Sequence, residues 1–377
     1  MNLSYWEKDT YFSNIDVLVI GSGIVGLSAA LELKTKNNLL KIMVVERGFL
    51  PSGASSKNAG FACFGSISEI LSDFENDSEE NVYKLISKRW NGLKRLRSIL
   101  GDDKIEYKNW GGFELFKDEI LYEKCSEKMD YLNNNLADII GSKDIYKNAD
   151  KKIDQFGFKS ITHLIENSFE GQINTGKMIA TLIKKVQESG VIILNSLTVK
   201  SIDEEPENVQ INLIGYPSFK VKKVLVATNG FAKQLLPELN VNPARAQVII
   251  TKPIAGLKIE GTFHYDQGYY YFRNIENRVL LGGGRNIDFK SEETTEMIIT
   301  EKIQNTLEEL LKSTILPNIP HEIDQRWSGI MGIGNQKTAI IKAISKNIFC
   351  AVRMGGMGIA IGSLVGQDAA NMVQNEL

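Results

Sequence analysis

The chain has 377 residues, 44 Lys and Arg against 46 Asp and Glu for a net charge of −2, and 43% apolar residues. Charges this nearly balanced give no general attraction to nucleic-acid backbones, and no run approaches the roughly eighteen apolar residues of a membrane span, so neither nucleic-acid binding nor membrane insertion is expected. The length asks for one large or two interleaved domains with a sizeable core.

The opening, MNLSYWEKDTYFSNID, has acidic residues and neither a basic n-region nor an apolar h-region, so no secretory signal is read there. Three cysteines, Cys63, Cys125 and Cys350, are odd in number and widely spaced, which suits a reducing, cytoplasmic setting without disulfides. No metal-binding spacing occurs.

The first predicted strand, Val17 to Ile20, is continuously apolar, as a strand buried on both faces of a parallel sheet must be. Gly21-Ser22-Gly23-Ile24-Val25-Gly26 comes next, then a helix to about Lys36 and a second strand ending at Glu46, twenty residues past Gly26. The first glycine permits a tight turn, the second lets backbone approach a pyrophosphate, and the third lets helix pack on strand. The helix N-terminus offers N–H groups to phosphate, and Glu46 offers a carboxylate to ribose hydroxyls. The dinucleotide could be NAD or FAD. The segment beyond Glu46 discriminates: GASSKNAGFACFGS, 53 to 66, is a run of small residues suited to pressing backbone against a flat ligand.

Next, KRWNGLKRLR, 88 to 97, has helical spacing with Leu93 and Leu96 inward, and its basic residues are read as a solvated face. EYKNWGGFELF (106 to 116), QVIITKPI (247 to 254), GYYYFRN and NRVLLGG read as alternating strands. Tyr269 and Tyr271 then share one face of their strand and Tyr270 takes the other. VIIL and VKSIDEEPENVQINLIG read as a strand and a β-meander, and VLVATNG as a return to the parallel sheet. His163, His264 and His321 stand in no catalytic motif and are read as surface or packing residues. Near the C-terminus IFCAV, then RMGGMGIAIGS, repeat the order strand, glycine loop, helix.

These pieces together resemble the FAD-dependent D-amino acid oxidase superfamily, and within it the γ-glutamylputrescine oxidoreductase branch most closely. The similarity rests on SYWE, the glycine fingerprint, GASSKNAG, GQINTGKMIATLIKKVQESGVIIL, VKKVLVATNGF, YYYFRNIENRVLLGGG, RWSG and the glycine-rich end, in that order. It implies an α/β fold: a Rossmann-like FAD-binding domain, with a parallel sheet and β-meander, from residues 1–100, 168–232 and 326–377. This is interleaved with an α+β substrate domain of antiparallel sheet, from 101–167 and 233–325.

By the same resemblance FAD is bound noncovalently, since RWSGIMGIG lacks the flavin-linking cysteine of sarcosine oxidase. Its contacts fall on Gly21, Gly23, Ile24, Val25, Gly26, Glu46 and Arg47, and on Ala54, Ser55, Ser56, Asn58, Ala59, Gly60, Phe61 and Ala62. Further contacts fall on Val199 (adenine), Thr228, Asn229 and Gly230, on Trp327 and Gly329, and on Arg353, Gly355, Gly356, Met357 and Gly358. A helix opening near Gly358 would turn its positive end to the flavin pyrimidine.

The departures are equally informative. Glycine oxidase and D-amino acid oxidase clamp an α-carboxylate with an arginine where this chain has Met331, and glycine oxidase has a second where it has Gly356. Sarcosine oxidase has a lysine at the position of Leu280 and a histidine at that of Gly284. Candidates to meet substrate are therefore Arg285, Arg353, Tyr269 and Tyr271, while Arg273 is read as a structural salt bridge and Cys63 as packing. The expected activity is oxidation of a C–N bond of an amine or amino acid by hydride transfer to flavin N5, with O2, a quinone or another carrier as acceptor. The alternatives are a 2-hydroxy-acid or polyol dehydrogenase, or a flavoprotein module of the tRNA-modifying kind.

Overall fold

The computed structural model describes residues 3 to 377. Its first sheet begins where the apolar pattern demanded. Ile15–Ile20 lies centrally, parallel to Ile42–Val45 on one side and to Phe219–Val226 on the other, with Ile192–Leu194 and Ile348–Val352 extending the sheet outward. Val17, Leu18 and Val19 are wholly buried because helices cover one face and the meander the other. That meander is Val199–Glu204, Val209–Leu213 and Phe219–Val226, antiparallel in sequence.

The second sheet has eight strands, running in space from Ile323–Ile333 through Asn242–Thr251, Arg278–Gly283, Tyr270–Ile275, Thr262–Tyr265, Gly112–Phe116 and His163–Asn167 to Tyr146–Asn148. It departs from the expected arrangement twice. Gly112–Phe116 runs parallel to Thr262–Tyr265, so the sheet is mixed, because these strands come from separate insertions and no hairpin constrains their direction. Residues 326 to 333, assigned from sequence to the nucleotide domain, pair with 242 to 249 throughout and belong to this second sheet. One sheet face carries a stack of Phe113, Phe263 and Phe272 beneath Ile303 and Leu307 of the helix Glu301–Leu310. The other face turns toward the first sheet.

The basic stretch 88 to 97 lies in the helix Glu79–Leu100, with Leu93 and Leu96 buried as expected. Arg89 corrects the reading of a solvated face: it is buried, and its Nη1 donates to the Phe64 carbonyl at 2.9 Å. This helix and Ile24–Lys36 flank the C-terminal helix Gly358–Gln374 at short range. A Cβ on Gly92 would stand 2.3 Å from the Ala360 carbonyl oxygen.

Gly92→Ala should therefore push the C-terminal helix outward. We expect a loss of about 1–3 kcal/mol, the usual cost of overpacking, seen as a lowered thermal midpoint, with weakened cofactor retention because the helix carries the C-terminal glycine loop. An unchanged midpoint would show that the helices can part freely.

Candidate active site

A cavity of about 890 Å³ opens between the two sheets, and both glycine loops reach it. At the first loop, Gly21 has φ +110°, and a Cβ there would meet the Ala227 carbonyl at 2.9 Å. The helix Ile24–Lys36 has Gly23 as N-cap, which has no side chain to cap it, so apart from the Ile24 amide, taken by Ser55 Oγ, its N-terminus faces the cavity that Gly23, Ile24 and Val25 line. Gly26 sits behind them: its absent Cβ would lie 2.1 Å from the Gly21 carbonyl, so it serves packing and not contact. Thr228, also on the cavity wall, has a buried hydroxyl without a partner among the described residues. A helix start whose N-cap residue has no side chain, beside an orphaned hydroxyl, is what a pyrophosphate-bearing ligand would satisfy, so the residues present fit a dinucleotide.

Glu46 is buried, its Oε2 accepting from the Ser22 amide and hydroxyl and its Oε1 from the Gly48 amide and the Ser52 hydroxyl. The carboxylate is thereby fixed beside Arg47, which stacks on Phe231 at 3.7 Å, and Val199 shares the same wall.

The small-residue run forms a short helix, Ala54–Lys57, then a bend. Ser55 Oγ accepts from the Ile24 amide at 2.9 Å, linking this run to the fingerprint, and Asn58 Oδ1 accepts from the Gly60 amide and Thr175 hydroxyl. Ala54, Ala59, Gly60, Phe61 and Gly329 line the cavity. Ser56 and Ala62 do not: Ser56 donates to the Pro51 carbonyl, and Ala62 is fully buried in a two-stranded pairing with Gly171. Trp327 stands behind the run, donating Nε1 to the Lys57 carbonyl at 2.9 Å. Gly230 lets Asn229–Gln234 approach the Met331 carbonyl, where a Cβ would sit at 2.4 Å.

At the C-terminal loop Gly355, Gly356, Met357 and Gly358 all line the cavity, and the helix starting at Gly358 opens there. Asn229, also on the wall, holds this loop by accepting from the amides of Arg353 and Met354. Arg353 itself is a correction. Its guanidinium donates to the carbonyls of Thr338 and Asn240, so the side chain braces two loops and does not line the cavity. Arg285 does line it, stacked on Phe289 at 4.6 Å, with Tyr269 and Tyr271 nearby, whereas Tyr270 faces the aromatic core as the alternation required. Burial pushes the Tyr271 hydroxyl up to about 12. Arg273 corrects another reading: among the described residues it has no carboxylate partner, donates weakly to the Gly60 carbonyl at 3.4 Å, and burial lowers it to about 10.

His264 corrects the reading of a surface or packing residue. It lines the cavity, and its Nε2 lies 2.6 Å from Oε1 of the buried Glu170, which also accepts from the Thr262 hydroxyl. Burial alone would lower its pKa, but Glu170, with Glu114 and Glu69, pushes it up to about 9. Strand alternation could have put His264 on the face of Thr262; nothing local marks Glu170, 94 residues earlier. Lys337 was also missed: it bridges Glu69 at 3.2 Å and Asp73 at 2.5 Å on the cavity wall. The other two histidines stay outside the site. His163 stacks on Tyr122 and pairs with Asp150, and His321 bonds the Ile319 carbonyl. Cys63 packs 4.0 Å from the Met357 sulfur, its thiol pushed up chiefly by burial.

A nucleotide-binding sheet roofed by a second sheet, with the cavity shared between them, defines a flavin-dependent oxidoreductase of two interleaved sheets. The family described as "FAD dependent oxidoreductase" (DAO) matches residues 16–372, and the chain belongs to that family. It is similar to "Probable oxidoreductase OrdL" of Haemophilus influenzae, 25% identical over 97% of this chain and 84% of that one. It is also similar to "Gamma-glutamylputrescine oxidoreductase" of Escherichia coli, 23% identical over 99% and 87%. Among solved structures, glycine oxidase from Geobacillus kaustophilus superposes with a TM-score of 0.77 at 19% identity, over 96% of this chain and 95% of that one.

Gly23→Val should yield colourless protein. The space above Gly23 is bounded by Ser55 Oγ, 3.0 Å from an added Cβ, so branched carbons must occupy the approach a pyrophosphate needs. Flavin occupancy equal to wild type by absorbance would show that this turn is structural only.

Proposed function

We propose that the protein oxidises a C–N bond in an amine or amino acid whose anionic group is remote from the reacting carbon, with FAD held noncovalently and electrons passed to O2 or a quinone. Bound FAD would supply the acceptor for the hydride. The chain's task is then positioning. The fingerprint amides and Glu46 would hold the nucleotide, Tyr271 and Phe61 would wall the reacting carbon, and Arg285 would meet an anionic group with a charge-assisted bond.

The observation that carries this reading lies at the two positions where the amino-acid oxidases bear arginines. Met331 Sδ would stand 3.5 Å from a Cβ on Gly356, and both residues line the cavity. A thioether facing a glycine cannot pair with an α-carboxylate, so glycine and small D-amino acids should be held poorly. The similarity to the gamma-glutamylputrescine oxidoreductase of E. coli agrees with an amine carrying its carboxylate at a distance.

The test is anaerobic stopped-flow reduction across amines, amino acids and 2-hydroxy acids. Long anionic amines should bleach the flavin fastest, and Arg285→Ala should weaken their binding by about ten- to a hundredfold, the worth of one lost charge-assisted bond, while sparing uncharged amines. Rapid reduction by glycine or D-alanine with both amine kinds inert would overturn the reading, as would reduction by hydroxy acids alone. Acid precipitation should release all flavin to the supernatant; yellow pellet would refute noncovalent binding.

A further inference from the structure

The cavity wall beside the C-terminal glycine loop contains more acid than an oxidase site should tolerate. Glu170 and Glu114 are buried, and Glu69 faces the cavity. Reduction places negative charge on the flavin, and bare carboxylates nearby would oppose it. Glu69 is matched by Lys337, and the Glu114 carboxyl, raised by burial, takes hydrogen bonds from the Ser68 amide and hydroxyl. Among the described residues the cation paired with Glu170 is His264, which also lies directly across the strand pair from Glu114. The location is close to the glycine loop: Cys63 Sγ lies within 4.8 Å of the ligand atoms of both Glu170 and His264, and 4.0 Å from Met357 Sδ.

We infer that His264 is a positioning residue for charge: paired with Glu170, it keeps this wall electrically neutral so that the site accepts the negative charge of reduced flavin. The inference rests on the proposed flavin chemistry but not on the substrate. Its geometry is an ion pair with one partner on the cavity surface, Phe61 edge-on to the imidazole at 5.3 Å and Tyr271 edge-on to Phe61 at 5.7 Å. While His264 is protonated the pair is neutral; once it loses its proton, with the imidazole pushed up to about 9, Glu170 is left as an uncompensated anion beside the cofactor. The remaining titratable groups facing it are Cys63, whose thiol burial raises well above its ordinary value, and Tyr271, its partner across the strand pair, whose hydroxyl burial pushes up to about 12; the buried Arg89 guanidinium lies on the far side of Cys63, bonded to the Phe64 carbonyl.

The test uses holoenzyme and sulfite, which adds to oxidised flavin and leaves negative charge on the ring, so its dissociation constant reports the local field without any substrate. Wild type should bind sulfite at pH 8 and lose at least about tenfold in affinity by pH 10, with a midpoint near 9. Glu170→Gln should abolish that limb. His264→Gln should be weak already at pH 8, and the double variant His264→Gln with Glu170→Gln should recover to within about threefold of wild type, because it removes the acid together with its cation. The chain has three histidines, so nitrogen-15 histidine spectra can follow His264 directly, and its titration should fall toward the ordinary range in Glu170→Gln. A double variant as weak as His264→Gln would mean a structural role and overturn the inference. So would a wild-type profile flat from pH 8 to 10. Should His264→Gln fail to fold, the wild-type and Glu170→Gln profiles decide alone. Amine reduction failing while these profiles hold would sink the proposed substrate class and leave this assignment standing.

Discussion

Close backbone approach between the first and last helices is the constraint on which the site depends. The C-terminal helix lies on Ile24–Lys36 with almost no side chain between them: a Cβ on Gly366 would meet the Val25 carbonyl at 2.7 Å, and one on Gly362 would meet the Ile24 side chain at 2.5 Å. These helices begin at the two glycine loops, so their packing fixes the distance between loops that are more than three hundred residues apart in sequence. A ligand that touches both is then bound by rigid elements and not by mobile ones, which lowers the ordering cost of binding. Ser55, bonded to the Ile24 amide, and Trp327, bonded to the Lys57 carbonyl, extend the same frame to the small-residue run.

The second sheet depends on a different division of labour. Strand alternation sends Phe113, Phe263 and Phe272 to one face, where they build a core with the helix Glu301–Leu310. The opposite face carries Tyr271, His264 and Val248 to the cavity. The segment following Arg285 has little regular structure, yet it is not loose. Arg245 and Glu292, both buried, meet in a bidentate pair, and Gln247 also bonds Glu292 and Thr300. A buried pair of this kind adds little net stability but fixes a single arrangement, and here it fixes the chain that delivers Arg285 to the cavity rim.

How much of this was legible in the sequence depends on the range of each interaction. The fingerprint, the acid twenty residues beyond it and the continuously apolar strand are local patterns, and the first sheet forms where they stand. The tyrosine alternation is equally local and places Tyr270 against the aromatic core. The sheet membership of 326–333 was not legible because RWSGIMGI looks the same whether it joins a nucleotide sheet or roofs one; its partner 242–249 is some eighty residues away. Arg353 looked like a ligand because it sits in the glycine loop, but its left-handed backbone, φ +68°, turns the side chain toward Asn240 and Thr338. Arg89, counted within a basic run, is buried because helical spacing puts it on the same face as Leu85 and Leu93.

His264 was illegible for a deeper reason. A histidine's role is set by what faces it, and the acids and the thiol that face His264 arrive from elsewhere in the chain: Glu170 from the segment before 171–172, Glu114 from a parallel neighbouring strand, Glu69 from the helix Ile67–Asn76, Cys63 from the small-residue run. None is within ninety residues of it in sequence. Buried acids are costly unless paired or hydrogen-bonded, and the acids in and behind the cavity wall are met in three ways: a lysine for Glu69, an imidazole for Glu170, and main-chain and serine donors for Glu114 and, at the fingerprint, Glu46. Of these cations the Lys337 ammonium, which burial alone would lower but Glu69 and Asp73 hold above its ordinary value, keeps its charge near neutral pH. The imidazole, pushed up to about 9, can change within reach of solvent pH, which makes the Glu170 pair, among the described residues, the acid–cation contact in this wall that is sensitive to it.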